Sequence, residues 1–434
     1  GAITAGDRVI VNTNGTVTKV GLSYTAISPI DGLSGSDVNY PDASKDTSYW
    51  RVTKIKDNYF FLAYRNETNS NRLDGAQFYI QNDGTVTLNT SSQTLFSGQH
   101  RIIDVAHDPD REQAVIVYKK NSDGKIYFRT IRVDSTTAFA TGSEVALNNS
   151  TYTPTSESNA SLSYDTAADK FIFVLAKDVA GSNYCNVRTV TITGNDTITF
   201  GTAVNVETNA CTFVDAAFDS TAGKHLIVYK DGTVTADDLY GVVATVSGTS
   251  ISLGTAVAIE TSDNTISKIA YSTTDSKFLL TYLSEVGSGQ SSKYKAITIS
   301  GTSLSAGSTA SVSMNTAGMS GYTSSLVYDP TLDKFYHIHR QNYIGKFIDL
   351  ELSGTSVTTG SAVNSRNGNS VADQDVAYDS ASNRFLFVFQ NGATNKGLYQ
   401  VWNSSSSATN LTTENYIGIA AASASDSASA TIDV

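Results

Sequence analysis

A chain of 434 residues that is 40% hydrophobic, 10% aromatic and only 16% charged has the apolar content to fold. It is too long for one ordinary core unless the fold is multidomain, closed or repeated. A net charge of −11 opposes contact with a phosphate backbone or an anionic membrane, so no nucleic-acid partner is expected. Five prolines, two methionines and abundant Thr, Ser, Val, Tyr and Gly suit pleated strands and tight turns and exclude a mainly helical protein.

No basic stretch leads into an apolar one at the start, so no signal peptide is visible, and no run of about 18 apolar residues is present to insert in a membrane. The chain begins at Gly1 and ends in the strand-like Ser429–Val434, and reads as a fragment of a longer or processed polypeptide. Alternation predicts strands at Arg8–Asn12, Thr16–Val20 and Leu22–Ile27. From Phe60–Tyr64 onward one phrase recurs: an alternating strand, an aromatic-Asp pair, a short turn, Lys-Phe, and a strand ending in an anchor residue. Its clearest copies are Tyr164-Asp165 with Lys170-Phe171, Phe218-Asp219 with Lys224-His225, Tyr328-Asp329 with Lys334-Phe335, and Tyr378-Asp379 with Arg384-Phe385. His107-Asp108 and Tyr271-Ser272 open degenerate copies.

The anchors are Tyr64, Tyr118, Leu175, Tyr229, Tyr282, His339 and Phe389, spaced 50 to 57 residues apart. A second register, Ser-Gly-Thr-Ser at 247–250, 300–303 and 353–356, keeps the same period. Each unit parses as four strands, for example one ending at Tyr164-Asp165, a second like Phe171–Val174, a third like Tyr240–Val246 and a fourth from Ile251 to Ile259. Four antiparallel strands per unit make a propeller blade, and each blade buries both faces only if the ring closes. The expectation is an all-β, seven-bladed propeller of four-stranded blades over residues 22–410. A β-solenoid is the alternative, but its coils are shorter, roughly 20 to 30 residues. The last unit reads Gln374–Tyr378, Phe385–Phe389 and Leu398–Trp402 and lacks a fourth strand. Leu22–Ile27 is predicted to complete it, with Ala408–Thr413 as the other donor.

The repeated aspartate fits a turn cap, since an Asx side chain bonds backbone amides two residues on. The aromatic rows Phe171, Phe278, Phe335, Phe385 and Tyr118, Tyr229, Tyr282 fit inter-blade core better than a sugar-stacking surface. Counting four back from each turn position reaches Asp104, Ser161, Asp215, Lys268, Ser325 and Asp375. With the small residues Ala106, Ser163, Ala217, Ala270 and Ala377 two places later, they are predicted to line the central channel. Asp104, Asp215, Lys268 and Asp375 carry its charge. Like carboxylates in a wide aqueous channel suit ordered water better than calcium or another cation, and no cofactor is expected.

Enzyme signatures are weak. His337 and His339 alternate onto one strand face, but no third ligand has a recognisable spacing, so a structural role is expected. Cys185 and Cys211 read as free thiols. No nucleophile elbow, phosphate loop or EF-hand loop occurs, and sialidase Asp boxes, WD and kelch signatures are missing. No catalytic residue is assigned. Carboxylate pairs assembled from different blades remain an alternative.

The units from Trp50 to Trp402, with the tail Thr245-Val246-Ser247-Gly248-Thr249-Ser250-Ile251-Ser252-Leu253-Gly254-Thr255-Ala256-Val257, resemble the acidic, repeat-bearing structural proteins of tailed bacteriophages of marine and cyanobacterial hosts. Ala5–Val17 looks like the opening of a small β-module of phage fibre and capsid-decoration proteins, and Tyr416–Ala420 with Ala430–Val434 looks like its closing half. The resemblance implies a small module split between residues 1–21 and 411–434, with the propeller inserted. It implies a non-enzymatic tail fibre, spike or capsid decoration on the virion surface or otherwise extracellular, as a homo-oligomer among other virion structural proteins, contacting host-surface glycans. A secreted carbohydrate-active propeller enzyme, or a bacterial surface adhesin or filament subunit, are the alternatives.

Overall fold

The computed structural model describes residues 46–403, apart from 82–85, 89–92, 148–158, 180–181, 210, 233–237, 262–263, 285–289, 315–323, 342 and 365–369. It also describes short strands at 8–11, 17–19, 28–29, 39–40, 418–420 and 432–433. Two compact units result, Pro29–Trp402 and a second made of Gly1–Ser28 with Asn403–Val434.

The larger unit is a seven-bladed β-propeller. Its blades are residues 47–96, 100–146, 160–207, 211–260, 264–314, 325–364, and 371–403 joined by 28–29 and 39–40. Within each blade consecutive strands pair antiparallel, from the inner strand by the axis outward. In the fourth blade Cys211–Asp219 pairs with Lys224–Asp231, which pairs with Leu239–Ser247. The outer position, read from the sequence as one strand from Ile251 to Ile259, holds two short strands, Ser250–Leu253 and Val257–Glu260, both paired with Leu239–Ser247.

The break falls at Gly254. Its N–H still donates to Val243 O at 2.8 Å, but a Cβ there would sit 2.1 Å from the Thr302 carbonyl oxygen of the next blade. Only glycine lets two backbones approach so closely. Gly307 meets Thr355 in the same way, so in both cases a Ser-Gly-Thr-Ser turn of one blade touches the outer-strand glycine of the blade before it across a seam.

Second strands are buried at nearly every central position, and mostly apolar there, because each is covered on both faces. Phe171, Phe173 and Leu175 pack with Val115, Val117 and Phe128 of the preceding blade. Ile172, Val174 and Ala176, on the opposite face, pack with Ile227 and Tyr229 of the following one. Phe171, Phe278, Phe335 and Phe385 are 0% exposed, so these rings are core and not a stacking surface. Each such ring contributes on the order of 2 kcal/mol.

The turn aspartates cap. Asp165 Oδ1 accepts the N–H groups of Ala167 at 2.9 Å and Ala168 at 2.8 Å, and Asp219 does the same for Thr221 and Ala222. The aromatic partner adds a bond to the preceding blade: Tyr378 Oη donates to Asp329 Oδ1 at 2.7 Å.

The last blade takes its outer strands from the N-terminal side, Ser28–Pro29 and Asn39–Tyr40, beside Gly397–Asn403. Leu22–Ile27 and Ala408–Thr413 lie outside the described residues. Ring closure is sealed by Trp50, Leu62 and Tyr64 of the first blade packed with Leu386, Val388 and Val401 of the last.

In the smaller unit Arg8–Val11 pairs antiparallel with Val17–Lys19 and with Gly418–Ala420, which in turn pairs with Ile432–Asp433. Both ends of the chain therefore share one four-stranded sheet.

Candidate functional site

The inner strands stand side by side in ring order around the axis. They enclose a polar cavity of about 210 Å³, room for about seven waters at liquid density. One residue per blade forms a polar ring in its lining: Arg51, Asp104, Ser161, Asp215, Lys268, Ser325 and Asp375, all charged except the two serines. All occupy one register, each opposite the residue just before an anchor: Asp104 faces Val117, Asp215 faces Val228 and Asp375 faces Val388.

Asp104, Asp215, Lys268 and Asp375, singled out from the sequence, thus share this cavity with Ser161 and Ser325. Arg51 escaped that count because the first blade has a shortened turn without the aromatic-Asp pair. Counting from its anchor finds it, since Arg51 pairs with Ala63, next to Tyr64. The small residues two places later do not line the cavity. Ala217 and Ala106 pack into the seams, and Ser163 Oγ turns to His225 Nδ1 at 3.2 Å, because strand twist rotates that face away from the axis.

The carboxylates are engaged between blades. Asp104 Oδ2 accepts the Leu162 N–H at 2.7 Å, Asp215 Oδ2 that of Ile269 at 3.0 Å, and Asp375 Oδ2 that of Val52 at 2.9 Å. Each acceptor reaches the residue following its counterpart in the next blade. Asp215 Oδ1 also accepts Ser161 Oγ at 2.8 Å, and Lys268 Nζ stands 3.9 Å from Asp215. Removal from water pushes the Asp104 carboxyl up to about 6, against the opposing pull of Lys268, the Leu162 amide and Arg51.

His337 and His339 stack with centroids 4.8 Å apart, both buried. His337 Nδ1 meets Tyr294 Oη at 3.1 Å and its Nε2 meets Ser324 Oγ at 3.0 Å, so both ring nitrogens have protein partners. Among the described residues no group of three His, Cys, Asp or Glu side chains is placed to hold a metal ion. Cys185 and Cys211 are free, buried thiols in one seam.

This architecture defines a seven-bladed propeller with a polar axial cavity. No protein-family model matches the chain, and no curated protein does. Among solved structures, hydrazine synthase from Kuenenia stuttgartiensis is similar over 85% of this chain and 98% of its own, at 10% identity and a TM-score of 0.51. A protein from Lactobacillus plantarum covers 83% of this chain and 95% of its own, at 11% identity and TM-score 0.49. A 6-phosphogluconolactonase-like protein from Bacteroides uniformis covers 75% and 90%, at 14% identity and TM-score 0.46. Two of these three carry enzyme names, but at such identities the likeness concerns the fold alone.

Proposed function

We propose that the chain is a non-enzymatic structural protein of a virion surface, a tail fibre, spike or capsid decoration that presents a rigid propeller to host-surface glycans or neighbouring subunits. The observation that carries this reading is the commitment of Asp104, Asp215 and Asp375 to backbone amides of adjoining blades. Groups held as inter-blade clamps serve rigidity, and rigidity suits a scaffold whose rim loops vary without disturbing the blades. The resemblance of the repeat to structural proteins of tailed phages supports the virion class, and extracellular display as a homo-oligomer is part of the same proposal. Immunogold labelling of tailed virions of marine cyanobacterial hosts with antibody to this chain tests the reading. Labelled tails or capsids support it, and bare particles overturn it.

One observation favours a second reading, a carbohydrate-active enzyme: the raised Asp104 carboxyl in a cavity shared with Asp215, the environment a general acid needs. Turnover of glycoside substrates that disappears in Asp104→Asn would establish it.

A further inference from the structure

We infer that the propeller rim at the N-terminal ends of the inner strands carries three cation–aromatic clamps that bind an acidic polysaccharide through its carboxylates. This rests on the glycan-contact part of the reading above and names the glycan class.

The residue after the anchor is a cation in four blades: Arg65, Lys119, Lys230 and Arg340. Arg65 pairs opposite Ser48, Lys119 opposite Arg101 and Lys230 opposite Thr212. These positions lie two residues beyond the partners of the axial ring, roughly 7 Å along the strand and toward one mouth of the channel.

Three of the four cations sit over an aromatic ring: Arg65 over Tyr49 at 4.2 Å, Lys230 over Phe213 at 5.5 Å, and Arg340 over Tyr343 at 5.4 Å. All three rings belong to residues with left-handed backbone, with φ of 55° at Tyr49, 50° at Phe213 and 66° at Tyr343. Bulky side chains rarely adopt that conformation, and such strain concentrates at ligand clamps. Tyr49 and Phe213 occupy equivalent bulges, two residues before Arg51 and Asp215. Core packing does not explain the third ring, since Tyr343 is 59% exposed.

The cations are positioned by further bonds. Arg65 donates to Ser48 Oγ at 3.1 Å and Glu67 Oε1 at 2.6 Å, and Arg340 donates to the carbonyls of Val371 and Ala372. A sugar ring laid on the aromatic edge brings a ring carboxylate to the cation beside it. One clamp of this kind is weak, but three on one rim suit a ligand whose charged unit repeats, where avidity supplies the affinity.

The test is retention of the full chain on immobilised polygalacturonate against neutral dextran, with Tyr343→Gly and Lys230→Gln as variants. Glycine accepts the left-handed backbone, so Tyr343→Gly is expected to fold at least as well as the parent. The inference predicts retention on polygalacturonate alone, lost in high salt and weakened about tenfold in each variant. No retention, or retention unchanged in both variants, overturns it. Binding to neutral host glycans without polygalacturonate retention overturns the clamps and leaves the glycan-contact reading standing. Polygalacturonate retention by a chain that labels no virion supports the clamps and removes the virion assignment.

Discussion

Asp375 in the last blade accepts the backbone N–H of Val52 in the first at 2.9 Å. The two residues are the far ends of the ring, and the same bond recurs from Asp104 to Leu162 between blades adjacent in sequence. At the closing seam it is reinforced by Asp373 accepting Trp50 N–H at 2.7 Å and by Asp379, which accepts Asn58 N–H at 2.8 Å and faces Lys54 Nζ at 2.6 Å.

Asp379→Ala should therefore be costly. It strips partners from Lys54, the Asn58 amide and the turn at Ala381 and Ser382, a loss expected to be about 3 kcal/mol for a buried paired charge. Urea unfolding would show it as a lower midpoint with an unchanged slope. Burial alone would raise the Asp379 carboxyl, but Lys54, the Asn58 amide and Ser382 hold it below the usual range. Its contribution is present above the unfolded value of about 3.9 and is lost as pH falls through the lower folded value.

Histidines set a second acid limit at higher pH. Burial lowers His100 and His107 to about 4 and His339 to about 3, and lowers His225 and His337 as well. These rings are neutral in the fold and take up protons when it opens, so the unfolded state binds more protons below about 6.5. Stability is expected to decline as pH drops from there toward the folded values, by up to about 1.4 kcal/mol per histidine per pH unit. Asp104 works the other way between about 6 and its unfolded value, because its protonated form is favoured in the fold. Urea midpoints measured across this range check the net decline, and a flat profile would contradict it.

Gly254→Ala and Gly248→Ala separate two uses of glycine. At Gly254 the added Cβ meets the Thr302 carbonyl at 2.1 Å, backbone against backbone, and should cost about 2–3 kcal/mol. Gly248, with φ of 61° and open space around it, should lose only about 1 kcal/mol to the left-handed conformation. Thermal melting of the two variants gives the order directly.

Cys185 and Cys211 are 0% and 1% exposed, and burial with the neighbouring Cys185 thiol pushes Cys211 well above the ordinary thiol range. Both are expected to resist a disulfide-exchange reagent in the native protein and to react stoichiometrically once it is unfolded. Fast labelling of the folded chain would show that the seam between the third and fourth blades opens.

The repeated phrase in the sequence was enough to count the blades, to mark the second strands as core and to assign the turn aspartates as caps, because these depend on residues close in the chain. It also reached the axial register wherever the aromatic-Asp pair provides a mark, and missed Arg51 where that mark is absent. The divided outer strand was not legible, since what interrupts it at Gly254 is Thr302 of another blade.

Sequence by itself determined the strand periodicity, the blade number and the polar character of the axis. Only tertiary structure decided that Asp104, Asp215 and Asp375 bond across seams, which N-terminal strands complete the last blade, and that Tyr49, Phe213 and Tyr343 each lie beneath a cation. The physical reason is the same in each case: a hydrogen bond or ring contact is set by a few ångströms of space, and around a closed ring that space joins residues about one period or nearly the whole chain apart.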